Sequence, residues 1–261
     1  MLKLNNINYT AKSDSLISKG EAKQILHDIS MKVTEGEIVG IVGESGAGKT
    51  TLAKILSGIL KPDSGEIIYR EKATVDISTE SSIQILFQNS VELINPFRKV
   101  EDILVEVVKK HSNESTKDRI DDLLNIVGLP PDILLKSGSN LSGGERQRIA
   151  LIRLLASNPS LLIVDEPFSA QDIKSQLNLI KLLKELNKSS NLTIICISHD
   201  IQIISKFTDK LLVLKDGEII EEGLTSEVFT TPKHSYTKFL IKAKDFQLSY
   251  SDFVNMKKEL E

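Results

Sequence analysis

The sequence has one cysteine, Cys196, no tryptophan and only 5% aromatic residues in 261. A single thiol excludes a disulfide framework, and its place in the apolar run Thr-Ile-Ile-Cys-Ile-Ser (193 to 198) gives it the role of a buried strand residue. No window approaches the roughly 18 apolar residues needed to span a bilayer. The opening Met-Leu-Lys-Leu-Asn-Asn-Ile-Asn has no apolar signal region. Net charge is nearly absent too: 33 basic residues face 36 acidic ones without a long like-charge block, which argues against a surface that coats nucleic acid. A soluble, cytoplasmic chain with no nucleic-acid partner is expected. Its length allows a substantial core, as one large domain or a core with a subdomain.

What is present alternates. Continuous apolar runs at 37 to 42, 161 to 164 and 193 to 198 suit strands buried on both faces of a parallel sheet. The first is followed by a helical stripe, Leu52, Ile55, Leu56, Ile59 and Leu60, and the second by Ile173, Leu177, Ile180 and Leu183. This βα alternation predicts an α/β fold with a mostly parallel sheet. Two hairpins, Glu66 to Tyr69 with Thr74 to Ile77 and Leu211 to Leu214 with Glu218 to Ile220, are expected to form an antiparallel layer beside it. Residues 91–160 read as an inserted helical subdomain, with 1–90 and 161–231 as the α/β core and 232–261 as a C-terminal extension.

Chemistry gathers at the strand ends. Gly43, Glu44, Ser45, Gly46, Ala47, Gly48, Lys49 and Thr50, with Thr51 behind them, stand between a buried strand and a helix, the context of a phosphate-binding loop. Glycines let backbone N–H groups wrap a polyphosphate, Lys49 adds a point charge, and Thr50 offers a hydroxyl to Mg²⁺. The second strand runs into Asp165 and Glu166, where a carboxylate can hold Mg²⁺ through its water shell and its neighbour can polarise an attacking water. His199 leaves the third strand and can donate a hydrogen bond to a γ-phosphate, and Gln88, after Ile-Leu-Phe, can reach Mg²⁺ or the water. Further on, Leu141, Ser142, Gly143, Gly144 and Glu145 open a helix in which Ser142 and Glu145 form a capping box and two glycines leave the end bare.

Together these residues resemble the ATP-binding cassette family, the nucleotide-binding subunits of ABC transporters. The markers stand in family order: the Walker A loop Gly43 to Thr50, Gln88 of the Q-loop, the signature Leu141 to Glu145, Walker B ending in Asp165-Glu166, the D-loop Ser169 to Asp172, and the switch His199. The resemblance implies a P-loop NTPase core that hydrolyses ATP with Mg²⁺ held by Thr50, Gln88 and Asp165. Glu166, Gln88 and His199 then do the chemistry. Tyr9 fits the aromatic position that stacks on adenine, although residues 12–24 read as an insertion. In this family two cassettes pack head to tail, so the signature of one faces the ATP held by the other. Two departures stand out: Glu145 where Gln is commoner, and Gln171 where the D-loop usually has Leu.

Ile94-Asn95-Pro96-Phe97 and the ending that contains His234 and Tyr236 resemble the oligopeptide, dipeptide and nickel importer group. That implies a second cassette, identical or different, two integral membrane permeases and an extracytoplasmic solute-binding protein, with this chain peripheral at the cytoplasmic face of the membrane. With Cys196 alone the chain cannot hold the iron–sulfur cluster of some members. The rival reading is a soluble cassette ATPase acting on ribosomes or DNA, whose usual paired cassettes or long coiled coil this sequence lacks. The segment Asn95 to Arg98 is a candidate permease-docking surface, with Phe97 alternatively part of the helical core.

Overall fold

The computed structural model describes residues 1–11, 22–74, 82–87, 94–111, 115–169 and 172–244. It divides into two units, Met1–Thr79 with Ile195–Glu261, and Glu80–Ile194. The first begins with β1 (Leu2–Ala11), β2 (Lys23–Val33), β3 (Ile38–Val42), α1 (Lys49–Leu56), β4 (Ser64–Tyr69) and β5 (Lys72–Thr74). The second holds β6 (Ile83–Leu86), α2 (Val100–His111), α3 (Thr116–Val127), α4 (Gly143–Leu155), β7 (Leu161–Asp165) and α5 (Ile173–Ser190). From β8 (Thr193–Ser198), within which the division falls, the chain returns to the first unit with α6 (Ile201–Ile204), β9 (Lys210–Lys215), β10 (Glu218–Leu224), α7 (Thr225–Thr230) and α8 (Ser235–Lys244).

In the first unit, strands run in the order β10-β9-β3-β8. Every residue of β3 and β8 is buried, which is why their sequences show no polar alternation. β3 pairs parallel to β9, and β9 turns back into antiparallel β10 across Asp216 and Gly217, both at positive φ. The strands β2-β1-β4-β5 form a separate antiparallel sheet. In β1 and β2 the period-two pattern buries Leu2, Leu4, Ile29, Met31 and Val33, while shifts of register around Ile7 and Tyr9 interrupt the pairing.

In the second unit, α2, α3 and α4 bury Val100, Leu104, Val108, Leu123, Leu124, Ile149 and Ile152. Ser115 caps α3 through the Asp118 N–H, and Gly128, left-handed at φ 66°, ends it. Arg148 of α4 donates to the Val127 and Gly128 carbonyls, satisfying groups that a helix end leaves open. β6 runs parallel to β7.

Several expectations need correction. The antiparallel sheet is built largely by β1 and β2, whose residues do not alternate cleanly, and the β9–β10 hairpin joins the other sheet. Of the expected insertion at 12–24, Lys23 and Gln24 belong to β2, and residues 12–21 lie outside the described residues. The first hairpin turns at Arg70-Glu71, φ 49° and 64°, two residues that carry no turn signal, so β5 begins at Lys72. α1 stops at Leu56 because Gly58 is left-handed, and Ile59 is exposed rather than part of the buried stripe. α5 buries Leu179, Ile180, Leu182, Leu183 and Leu186, but Ile173 and Leu177 face outward.

Candidate functional site

The phosphate loop of the first unit leaves β3 at Gly43 and enters α1 at Lys49. Glycine is required twice: a Cβ on Gly43 would stand 2.1 Å from the Leu214 carbonyl oxygen, and Gly48 sits at φ 98°, where a Cβ would also come within 2.8 Å of Leu26 Cδ2. Gly46, at φ 91°, meets nothing within 4 Å, so the loop is open to a ligand there. Gly48 caps α1 in the left-handed region and no side chain caps the first turn, which suits a phosphate and the helix dipole. Lys49 is only 7% exposed, and its ammonium donates to the Gly43 and Glu44 carbonyls at 2.8 Å each. These carbonyls offset the cost of burying the charge and keep its head inside the loop. The loop therefore fits a polyphosphate, which its amides and Lys49 could hold, and the exposed Thr50 could offer its hydroxyl to Mg²⁺.

Tyr9, His199 and Tyr236 also belong to the first unit. Tyr9 is half-buried in β1 opposite Leu26, the residue packed under Gly48. His199 is exposed at the carboxyl end of β8, followed by Asp200, which caps α6 through the Gln202 and Ile203 amides. Gln88 and Gln171 lie outside the described residues.

In the second unit, β7 ends in the buried Asp165 and is followed by Glu166 at φ 49°, a left-handed glutamate of the kind that collects at functional turns. The Ser169 hydroxyl reaches its carboxylate at 3.3 Å. Two amides hold the turn from outside: Gln147 of α4 donates to the Pro167 carbonyl at 2.9 Å, and Gln176 of α5 to that of Phe168 at 3.2 Å. Sequence reasoning missed both, since a polar helix residue gives no sign of which carbonyl it will meet. Asp172 caps α5 through Ser175.

The capping box at the signature is formed in full: Ser142 N–H donates to Glu145 Oε2 at 2.8 Å and Glu145 N–H to the Ser142 hydroxyl. Lys136 Nζ pairs with Glu145 Oε1 at 2.8 Å. Lys136 and the Ser142 amide hold the Glu145 carboxyl below its ordinary value, against the opposing effect of burial. This explains the acid at that position. A Cβ added to Gly143 or Gly144 would meet nothing within 4 Å among the described residues, and neither glycine has positive φ. Among the described residues nothing requires them to lack a side chain.

The segment before α2 settles the place of Phe97, which is 91% exposed and not in the helical core. Its backbone is tied to the approach to the signature, with Gly138 N–H on Arg98 O at 3.0 Å and Ser139 N–H on Pro96 O at 2.9 Å. Arg98 pairs with Glu106 and caps the Asp102 carbonyl.

A protein-family model described as ABC transporter matches residues 26–169. The chain is 35% identical over 224 residues to the oligopeptide transport ATP-binding protein OppF of Lactococcus lactis subsp. lactis (strain IL1403), covering 82% of this chain and 70% of that protein. It is 33% identical to the nickel import ATP-binding protein NikE of Brucella suis biovar 1 (strain 1330), covering 93% and 94%. Among solved structures it is similar to the dimeric, post-hydrolysis ATP-binding cassette MJ0796 bound to ADP and Pi, with a TM-score of 0.72 and 29% identity over 86% of this chain and 99% of that one. It is also similar to cbiO1 from Clostridium perfringens, part of the ABC transporter complex cbiONQ, with a TM-score of 0.78 and 29% identity over 94% and 96%. A phosphate loop between a buried strand and an uncapped helix, markers in family order and these likenesses agree: the chain belongs to the ABC transporter family, as an ATP-binding subunit that hydrolyses ATP.

Proposed function

We propose that this chain powers an importer, turning MgATP binding and hydrolysis at a cassette dimer interface into uptake of peptides, nickel or metal chelates. Relatives named for oligopeptide, D,D-dipeptide and nickel transport support that substrate class over the ribosome or DNA reading. The observation that carries the dimer is the α4 terminus, where Gly143 and Gly144 stay bare although their own fold leaves room for a side chain. A partner's γ-phosphate is the occupant for which amide donors and a helix dipole are suited.

Within one cassette the roles divide by chemistry. The loop amides and Lys49 bind the phosphates, Thr50 and Asp165 hold Mg²⁺ directly or through its water, and Glu166 accepts the proton of the attacking water. His199 contacts the γ-phosphate, Gln88 reaches the metal or water, and Tyr9 stacks on adenine. Residues 91–160 form the helical subdomain, and its exposed Phe97 docks a permease. Among the described residues no helix is long and apolar enough to cross a membrane, which is consistent with a peripheral subunit carried by two permeases and fed by a solute-binding protein. A second cassette, identical or different, completes each site.

The test is purification of the tagged chain from detergent-solubilised membranes of its own cells. Two integral membrane proteins and a second cassette should accompany it, with ATPase activity that rises when a solute-loaded binding protein is added. Recovery with ribosomes or nucleoid instead would contradict the importer reading.

A further inference from the structure

The chain beyond Thr231 lies outside the family match at 26–169, yet it reaches the phosphate loop. Tyr236, on the first turn of α8, is 2% exposed, and its hydroxyl oxygen accepts the Glu44 backbone N–H at 2.9 Å. The Glu44 carbonyl is taken by the Lys49 ammonium at 2.8 Å. The polar groups of this loop residue are thus held on one side by the tail and on the other by the residue expected to carry the phosphates.

The tail is itself anchored. The Glu221 carboxylate accepts the Lys233 N–H at 2.7 Å and the His234 N–H at 3.0 Å, and His234 Nδ1 accepts the Tyr236 N–H at 3.1 Å. Lys215 Nζ lies 5.5 Å from the centre of the Tyr236 ring. Burial raises the phenol to about 12, so it remains a neutral hydroxyl at every physiological pH. A phenylalanine would fill the same space but could not accept the Glu44 amide. A loop containing two left-handed glycines, Gly46 and Gly48, has much conformational freedom to lose when it wraps a ligand.

We propose that Tyr236 is a positioning residue for nucleotide: its hydroxyl fixes the Glu44 peptide, so the anchored tail presets the phosphate loop before ATP arrives. The hydroxyl acts through the loop and leaves the reacting atoms to others. Preorganisation of this kind strengthens binding by reducing the ordering that binding must impose. The coupling is reciprocal, so ATP in the loop should also steady the tail.

The proposal rests on the reading of Gly43 to Thr50 as the phosphate loop, and the experiment separates the two. MgATP affinity and amide hydrogen exchange are measured on the full chain, for wild type, Tyr236→Phe and Lys49→Ala. Removing one neutral hydrogen bond should weaken ATP binding by roughly three- to tenfold in Tyr236→Phe. The Glu44 amide should exchange faster in the nucleotide-free protein, with the melting temperature little changed. In wild type, ATP should slow exchange at residues 233–238. A purely structural tyrosine would instead lower the melting temperature and leave exchange at Glu44 no faster than elsewhere. If Tyr236→Phe binds ATP like wild type while Lys49→Ala binds more weakly, the proposal fails and the loop reading stands. If Lys49→Ala also binds like wild type, the loop reading fails and takes the proposal with it. Should Tyr236→Phe not fold, Glu221→Gln loosens the anchor without touching the loop; faster exchange at Glu44 then supports the proposal and unchanged exchange overturns it.

Discussion

Glu166 shows how much one residue can reveal and conceal. Its place at the end of an apolar run marked it as the polarising carboxylate, but its φ of 49° and the Gln147 and Gln176 ties beneath its turn depend on side chains arriving from two other helices. Replacing it by glutamine keeps the shape and removes the proton acceptor. We expect Glu166→Gln to bind ATP as wild type does and to lose roughly 10² to 10⁴ in turnover. Near-normal steady-state ATPase activity would take the role away. Glu145 carries the pH dependence. Its folded pKa is depressed, so the stability it adds is full above its ordinary value of 4.5 and is lost as pH falls through the folded value. Melting temperatures of wild type and Glu145→Gln should therefore differ at pH 7 and converge as the pH drops below 4.5. A constant difference from pH 7 to 3.5 would show that the Lys136 pair does not act through charge. That the acid caps its own helix was legible from its place three residues after Ser142, but Lys136 was not, since it stands nine positions before Glu145, across a 3₁₀ turn.

Among the elements, those covered on both faces were legible and those set by local backbone were not. β3, β7 and β8 are continuous apolar runs, and the structure places them within a residue of the expected bounds. β1 and β2 escaped because their alternation is broken by polar residues at register shifts, and the Arg70-Glu71 turn because nothing in either residue type announces positive φ. The segment at 94 to 98 was legible as an unusual stretch, but only the structure shows Phe97 bare and the backbone beside it bonded to the chain just before the signature. Under the proposed docking, that connection is a short path from a permease to α4. Phe97→Asp should leave the melting temperature nearly unchanged, since surface substitutions commonly shift stability by about 0.5 kcal/mol or less. It should also strip the chain from its membrane complex. A variant that folds and still co-purifies with the permeases would refute the docking role.

For the molecule as a whole, one Walker A loop and one signature in a single chain are what motivate the proposed second cassette. The sequence could not show whether Gly143 and Gly144 are demanded by their own fold. The structure gives them ordinary backbone angles and, among the described residues, open space, which is why we propose a partner's nucleotide as their use. The direct measurement is ATPase activity and nucleotide trapping in a cassette dimer of defined composition, carrying Gly144→Asp and Lys49→Ala or its equivalent. Losing a preorganised donor to the transition state typically lowers turnover by about 10² to 10³. With the two lesions in different chains, they face each other across one composite site and leave the other complete, which should still trap and hydrolyse ATP. With both in one chain, each site carries a lesion and neither should turn over. Trapping that shows Gly144→Asp damaging the nucleotide site of its own chain and sparing that of its partner would contradict the account.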